Sequence, residues 1–114
     1  MTGATGFIGG EIATEFQFAG YEVTALVRPG SDSSHLLEQG IVLVEGDITK
    51  PTDVTRAMQG QAFVCHAAAL VPGSGADETE FERVNVGGTR TVCEAAIEAG
   101  VALTCPLKRY QGLC

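Results

Sequence analysis

The sequence predicts an α/β fold, a doubly wound parallel sheet, on three observations. Strand-like and helix-like segments alternate along the chain, the strand segments are almost continuously apolar, and glycines punctuate the joints between them. A chain of 114 residues holds at most one domain with a modest core.

Each element follows from its own residues. Gly3, Gly6 and Gly9 stand where a strand hands over to a helix at 7–19. Without a Cβ, Gly3 can take a tight turn, Gly6 can let a pyrophosphate approach the backbone, and Gly9 can let the helix sit close on its strand. The helix start then offers unpaired N–H groups and a partial positive charge to phosphates. Residues 21–27 are rich in strand formers and end at Arg28-Pro29-Gly30, and 41–45 form a second such run ended by Gly46-Asp47. A short helix lies between Lys50 and Gly60, with Pro51 in its first turn, where a missing N–H costs little. Residues 61–66 read as a third strand, and 78–99 as a longer helix with Phe81, Val84, Gly88, Val92, Ala95 and Ala99 on one stripe.

Composition excludes several classes of function. A hydrophobic content of 45% argues against disorder, and a net charge of −7 argues against nonspecific binding to nucleic acid or anionic membrane. No stretch has the apolar length of a membrane span, and the start has no charged-then-apolar leader pattern. Cys65, Cys93, Cys105 and Cys114 have no Cys-x-x-Cys spacing, so they read as small hydrophobes rather than metal ligands or disulfides, and the expected compartment is the cytoplasm.

Four motifs in order carry a resemblance. Thr2-Gly3-Ala4-Thr5-Gly6-Phe7-Ile8-Gly9, Gly46-Asp47-Ile48, His66-Ala67-Ala68-Ala69 and Asn85-Val86-Gly87-Gly88-Thr89 are similar to the cofactor loop, adenine turn, fourth-strand turn and following helix of the extended short-chain dehydrogenase/reductases. The likeness covers about residues 2–101 and lies toward dihydroflavonol reductases, hydroxysteroid dehydrogenases and nucleotide-sugar epimerases. It implies a Rossmann-like, incomplete sheet over 1–102, lacking its first central strand and its carboxy-terminal half. The implied cofactor residues are Gly3, Thr5, Gly6, Phe7, Ile8, Gly9, Arg28, Asp47, Ile48, Ala67, Ala68 and Ala69.

Within that resemblance, single residues divide the work. Arg28 follows the strand at 21–27, 19 positions past Gly9, where a carboxylate would serve the ribose of NAD. A guanidinium there suits a 2′-phosphate, so NADP is the expected cofactor, and Asp32 nearby keeps NAD possible. Asp47 would accept from the adenine amino group, unless it only bonds its own turn. Asn85 would orient the active-site region through backbone or water contacts. His66 is read as strand-end structure beside the cofactor, and His35 as a surface loop residue. Gly87 and Gly88 each cost roughly 1 kcal/mol in a helix, which implies close helix–sheet approach. The acidic run Asp77, Glu78, Glu80 and Glu82 reads as a solvated helix start that complements the dipole.

The resemblance also implies a tyrosine followed four residues later by a lysine, and no such pair occurs in the chain; four residues after Tyr110 stands Cys114. The expected function is dinucleotide binding without catalysis, as a fragment of an oxidoreductase or epimerase whose intact form would take a small-molecule substrate. The alternative is a non-catalytic, NAD(P)-binding regulatory module. Two expectations concern the ends. Met1 is expected to mark an internal valine codon with a hydrophobic strand encoded upstream. Residues 103–114 are expected to form an aberrant or disordered tail, because Pro106 would break the fifth strand due there, and a one-nucleotide shift permits a reading such as Leu-Arg-Val-Leu-Ser-Ser-Val-Thr-Lys-Ala-Phe, which resembles the expected strand and its serine pair.

Overall fold

The computed structural model describes residues 1–70 and 74–104. The elements run α1 (Phe7–Phe18), β1 (Thr24–Val27), α2 (Ser34–Glu38), β2 (Val42–Glu45), α3 (Pro51–Met58), β3 (Phe63–Cys65), α4 (Glu78–Phe81), a π-helical segment (Glu82–Gly88), α5 (Thr89–Ala99) and β4 (Ala102–Thr104). β1 pairs in parallel with β2, from Thr24↔Val42 to Val27↔Glu45, and β3 pairs in parallel with β4, from Phe63↔Ala102 to Cys65↔Thr104.

Two residues join these halves. Thr2 bridges in parallel to Leu26 on one side and His66 on the other. Its N–H donates to the Cys65 carbonyl at 3.0 Å, Ala67 N–H donates to the Thr2 carbonyl at 3.2 Å, and Leu26 N–H donates to the Met1 carbonyl at 2.9 Å. The sheet order is therefore β2-β1-(Met1–Thr2)-β3-β4. The strands at 21–27 and 61–66 were expected to lose their shared partner entirely. Met1 and Thr2 supply it at the carboxyl ends of β1 and β3, where the loops that bear the motifs depart.

Toward the amino ends of the same strands the sheet is open. A cavity of about 360 Å³ lies there, lined by Met1, Val23, Thr24, Phe63 and Cys65 among others. Phe16, Tyr21 and Phe63 reach across it edge to face, with ring centroids 5.4–5.7 Å apart.

Helices cover both faces, as double winding requires. Alternation along β1 sends Ala25 and Val27 into a core with Ala4, Ala13, Leu36 and Ile41, beneath α1 and α2. Leu26 points the other way, into a core with Val54, Met58, Val64, Val92, Ala95 and Ala96, beneath α3 and α5. Gly100, with φ 71°, ends α5 in the left-handed conformation.

Several expected boundaries move. Residues 34–38 are helical, so His35 lies on a short exposed helix and not in a loop; buried Leu36 is what anchors that turn. The helix at 78–99 is continuous in sequence but passes through the π-helical segment, and its stripe ends on buried Ala96, while Ala99 is exposed. β4 carries Leu103 and Thr104 into the sheet, past the boundary expected at 102. The expectations about Cys105, Pro106, Tyr110 and Cys114 lie outside the described residues.

The gap has a local consequence. By strand alternation, the N–H groups of Thr24 and Cys65 face it, and no described residue offers them an acceptor. A buried donor left unpaired costs about 1–3 kcal/mol. Amide hydrogen exchange is expected to be faster at Thr24 and Cys65 than at Ala25 and Val64, which face β2 and β4. Equal protection at the four positions would contradict this reading.

Candidate functional site

A cavity of about 200 Å³ opens where the sheet's carboxyl ends meet the loops. The turn after Thr2 forms its floor. Gly3 has φ 77°, and a Cβ there would lie 2.5 Å from the Ala67 carbonyl carbon. Glycine is thus required both for conformation and for close approach to the turn after β3. A Cβ on Gly9 would collide with the Gly3 carbonyl oxygen, so Gly9 lets α1 seat on the loop and not on a strand. Gly6 differs from both. Its φ is −81°, and a Cβ would approach nothing closer than the Gly3 oxygen at 3.4 Å. The protein's own packing therefore makes little demand for glycine at Gly6, which leaves its bare backbone free to admit a ligand.

Directly after Gly6, α1 begins with no side-chain cap and no acidic residue in its first turn. The first-turn N–H groups, Phe7 and Ile8 among them, are the donors that a helix start leaves without intrahelical partners. Thr5 and Gly6 line the cavity, whereas Phe7, Ile8 and Gly9 do not. The Phe7 side chain is 85% exposed and Ile8 is also exposed, while Gly9 is buried under the loop. Any part that Phe7 and Ile8 play in binding therefore belongs to their backbone.

Arg28, Asp47, Ile48, Ala67, Ala68 and Ala69 all line the same cavity, so the structure brings together motifs that are up to 67 residues apart in numbering, from Thr2 to Ala69. Arg28 is exposed at the end of β1, with Ser31 beside it in the lining. Asp47 is held from two directions. Its N–H donates to Asp53 Oδ2 at 3.0 Å, and its Oδ1 accepts from Thr49 N–H at 2.8 Å and from Thr49 Oγ1 at 2.7 Å. Burial pushes the Asp47 pKa up, but the Thr49 bonds, with Arg83 and Lys50 nearby, more than reverse this and leave it below the ordinary carboxylate value. The turn-forming role and the place in the cavity lining thus coexist, since Thr49 engages only Oδ1. A Cβ on Gly46 would lie 2.8 Å from Asp53 Cβ, so that glycine admits the carboxylate that fixes the turn.

His66 is fully buried, and its hydrogen bonds define its proton. Thr2 Oγ1 accepts from Ala67 N–H at 3.1 Å and Ala68 N–H at 3.2 Å. With both lone pairs used, the hydroxyl hydrogen goes to His66 Nδ1, 2.7 Å away, and His66 Nε2–H donates to Thr89 Oγ1 at 3.0 Å. The chain of bonds ties the glycine loop, the Ala67–Ala68 backbone and α5 together, and it leaves His66 no free nitrogen for acid–base chemistry. Burial lowers its pKa to about 4.

The helix after the third motif is fitted to the same site. Asn85 Oδ1 accepts from Leu70 N–H at 2.8 Å, while its Nδ2 donates to the Leu70 carbonyl at 3.0 Å. This fork holds the chain leaving Ala69 against the π-helical segment, the backbone contact expected of Asn85. A Cβ on Gly88 would lie 2.5 Å from Ile48 Cδ1, which accounts for that glycine; the Gly87 position is open, with nothing closer than 3.9 Å. The sequence reading missed Thr2 as the hub of the His66 bonds, Asp53 as the brace of the Asp47 turn, and Arg83 and Val84 as cavity lining. A threonine directly before the glycine run was the one available signal for Thr2.

Comparisons with known proteins agree with this arrangement. The model of the NAD dependent epimerase/dehydratase family matches residues 1–106. A 3-beta-hydroxysteroid dehydrogenase of Mycolicibacterium neoaurum is 35% identical over 108 residues, covering 89% of this chain and 29% of its own length. The crystal structure of UDP-glucose-4-epimerase from Stenotrophomonas maltophila, with bound NAD and formylated UDP-arabinopyranose, superposes with a TM-score of 0.80 at 27% identity, over 91% of this chain and 34% of that one. A short-chain dehydrogenase/reductase superfamily protein from Agrobacterium tumefaciens with bound NAD gives a TM-score of 0.74 at 27% identity, over 91% and 30%. The chain spans about a third of the length of these proteins. Among the described residues, no helix is long and apolar enough to cross a membrane.

The bond pattern at His66 makes a spectroscopic prediction. The neutral Nε2–H form is required in the fold, so protonation favours the unfolded chain, whose histidine titrates near 6.5. Stability is expected to be complete above that value and to fall as the pH drops from 6.5 toward 4, by roughly 3 kcal/mol in total from this group. Nitrogen-15 NMR of the ring should show the Nε2–H tautomer with a midpoint near pH 4. A midpoint near 6.5, or a protonated Nδ1, would overturn the assignment.

Proposed function

The chain belongs to the NAD dependent epimerase/dehydratase family, and from that premise we propose that it binds a nicotinamide dinucleotide, NADP in preference to NAD, along the cavity between the glycine loop and the turn after β3. The uncapped start of α1 beside Gly6 carries the proposal. Unpaired N–H groups, a helix dipole uncompensated by any first-turn acid, and backbone free of a Cβ converge on one place, which is what a pyrophosphate needs.

The remaining residues distribute along the ligand. Arg28 is the group for a 2′-phosphate, because a guanidinium binds phosphate through two parallel bonds and no described residue neutralises it. Asp47, with one carboxylate oxygen left by Thr49, receives the adenine amino group, and Ile48 gives the base an apolar contact. The small side chains of Ala67, Ala68 and Ala69 admit the ribose and nicotinamide close to backbone that Thr2 and Asn85 hold still. Bound dinucleotide supplies hydride donation or acceptance; this chain's residues bind and orient it.

We assign the whole protein's chemistry to the oxidoreductase or epimerase class, with this chain as its cofactor-binding part.

Calorimetric titration with both cofactors tests the binding proposal. NADP should bind at least about tenfold more tightly than NAD, the scale of one charge-assisted bidentate contact, and Arg28→Asp should erase or reverse that preference. An NAD preference in the unmutated chain would refute the assignment of Arg28.

A further inference from the structure

A second arginine lies in the same cavity lining, and its setting differs from that of Arg28. Arg83 comes from the π-helical segment, with its side chain about half exposed (51%). One guanidinium nitrogen donates to Glu80 Oε2 at 2.9 Å, and the other reaches Thr49 Oγ1 at 3.4 Å, across the gap between the helix and the turn after β2. Thr49 in turn bonds Asp47. The guanidinium therefore stands over the Asp47 end of the cavity, on a long and weak contact that a ligand can displace.

Charge decides what that end can accept. Arg83 has Glu80 as a partner and Asp47 close enough to raise its pKa further, and with Lys50 also near Asp47 the two cations there are matched by two carboxylates. Such a balance disfavours a phosphate. It suits a neutral, flat, electron-rich ring, which can lie against the Ile48 side chain on one face and under a planar cation on the other. We propose that Arg83 is the outer wall of the base subsite, closing over a purine by stacking, and that the two arginines divide the ligand between them: Arg28 for phosphate, Arg83 for the base. This rests on the dinucleotide reading and names the residue that makes its adenine end selective for a base.

The planar shape matters as much as the charge. Lysine at this position would keep the cation and lose the stacking surface, whereas leucine would keep an apolar stem and lose both the cation and the plane. The tie to Glu80 spans only three positions on an exposed helical face, so its loss has little effect on folding.

The test uses the 114-residue chain and NMR titration with 5′-AMP and, as a probe without a base, ribose 5-phosphate. The unmutated chain should prefer 5′-AMP. Arg83→Leu should reduce that preference about threefold to tenfold, Arg83→Lys should also reduce it, and the melting temperature of both should stay at the unmutated value. An unchanged preference in Arg83→Leu, or full retention in Arg83→Lys, would overturn the stacking role while leaving the dinucleotide reading intact. Failure of the unmutated chain to bind 5′-AMP at all would overturn both.

Discussion

Everything in this structure depends on Thr2. With Met1 it joins two pairs of strands that have no other hydrogen-bonded connection among the described residues: Thr2 accepts from Ala67 and donates to Cys65, while Met1 accepts from Leu26 and donates to Thr24. Its hydroxyl accepts from Ala67 and Ala68 and donates to His66, which passes the bond to Thr89. Met1 and Thr2 thus set the spacing of β1 and β3 together, and Thr2 also fixes the start of the glycine loop and the shape of the turn that forms the opposite wall of the cavity. Its burial, at 4% exposure, makes this possible, because hydrogen bonds that water cannot replace are the costly ones to break.

The division of labour among the glycines follows from that placement. With Thr2 fixed, the chain must turn at once, and Gly3 does so with a positive φ against the Ala67–Ala68 backbone. The following helix must then come down on the Gly3 carbonyl, which only Gly9 permits. Gly6, between them, answers to no such internal demand, and its exposed backbone at an uncapped helix start is the feature that points outward to a ligand. Folding alone thus accounts for the outer two of the three glycines and not for the middle one.

Much of this was legible in the sequence because it rests on local pattern. The apolar runs at 21–27, 41–45 and 61–66 contain the three strands, and Pro51 and Gly60 bracket α3. Arg28, Asp47 and the alanines at 67–69 fall on one cavity because a parallel sheet brings its carboxyl-end loops to one edge. What stayed hidden was tertiary. Ser34–Glu38 looks like a polar loop until Leu36 finds its place in the core. The π-helical segment gives no periodic signal over seven residues, although the costly Gly87-Gly88 pair marked it indirectly. His66 shows its structural role only once Thr2 and Thr89, 64 and 23 residues away, are in view. Arg83 carries no signal of its own in the sequence, and only the opposing turn at Thr49 gives it a place beside the cavity.

The proposed dinucleotide lies along one continuous cavity, and backbone amide NMR of the 114-residue chain titrated with NADP reads that placement residue by residue. Shifts should concentrate at Gly3 to Gly9, Arg28, Asp47, Ile48 and Ala67 to Ala69, with the outer faces of α3 and β2 unchanged. Shifts that bypass the glycine loop and the start of α1, or none at saturating NADP, would contradict it.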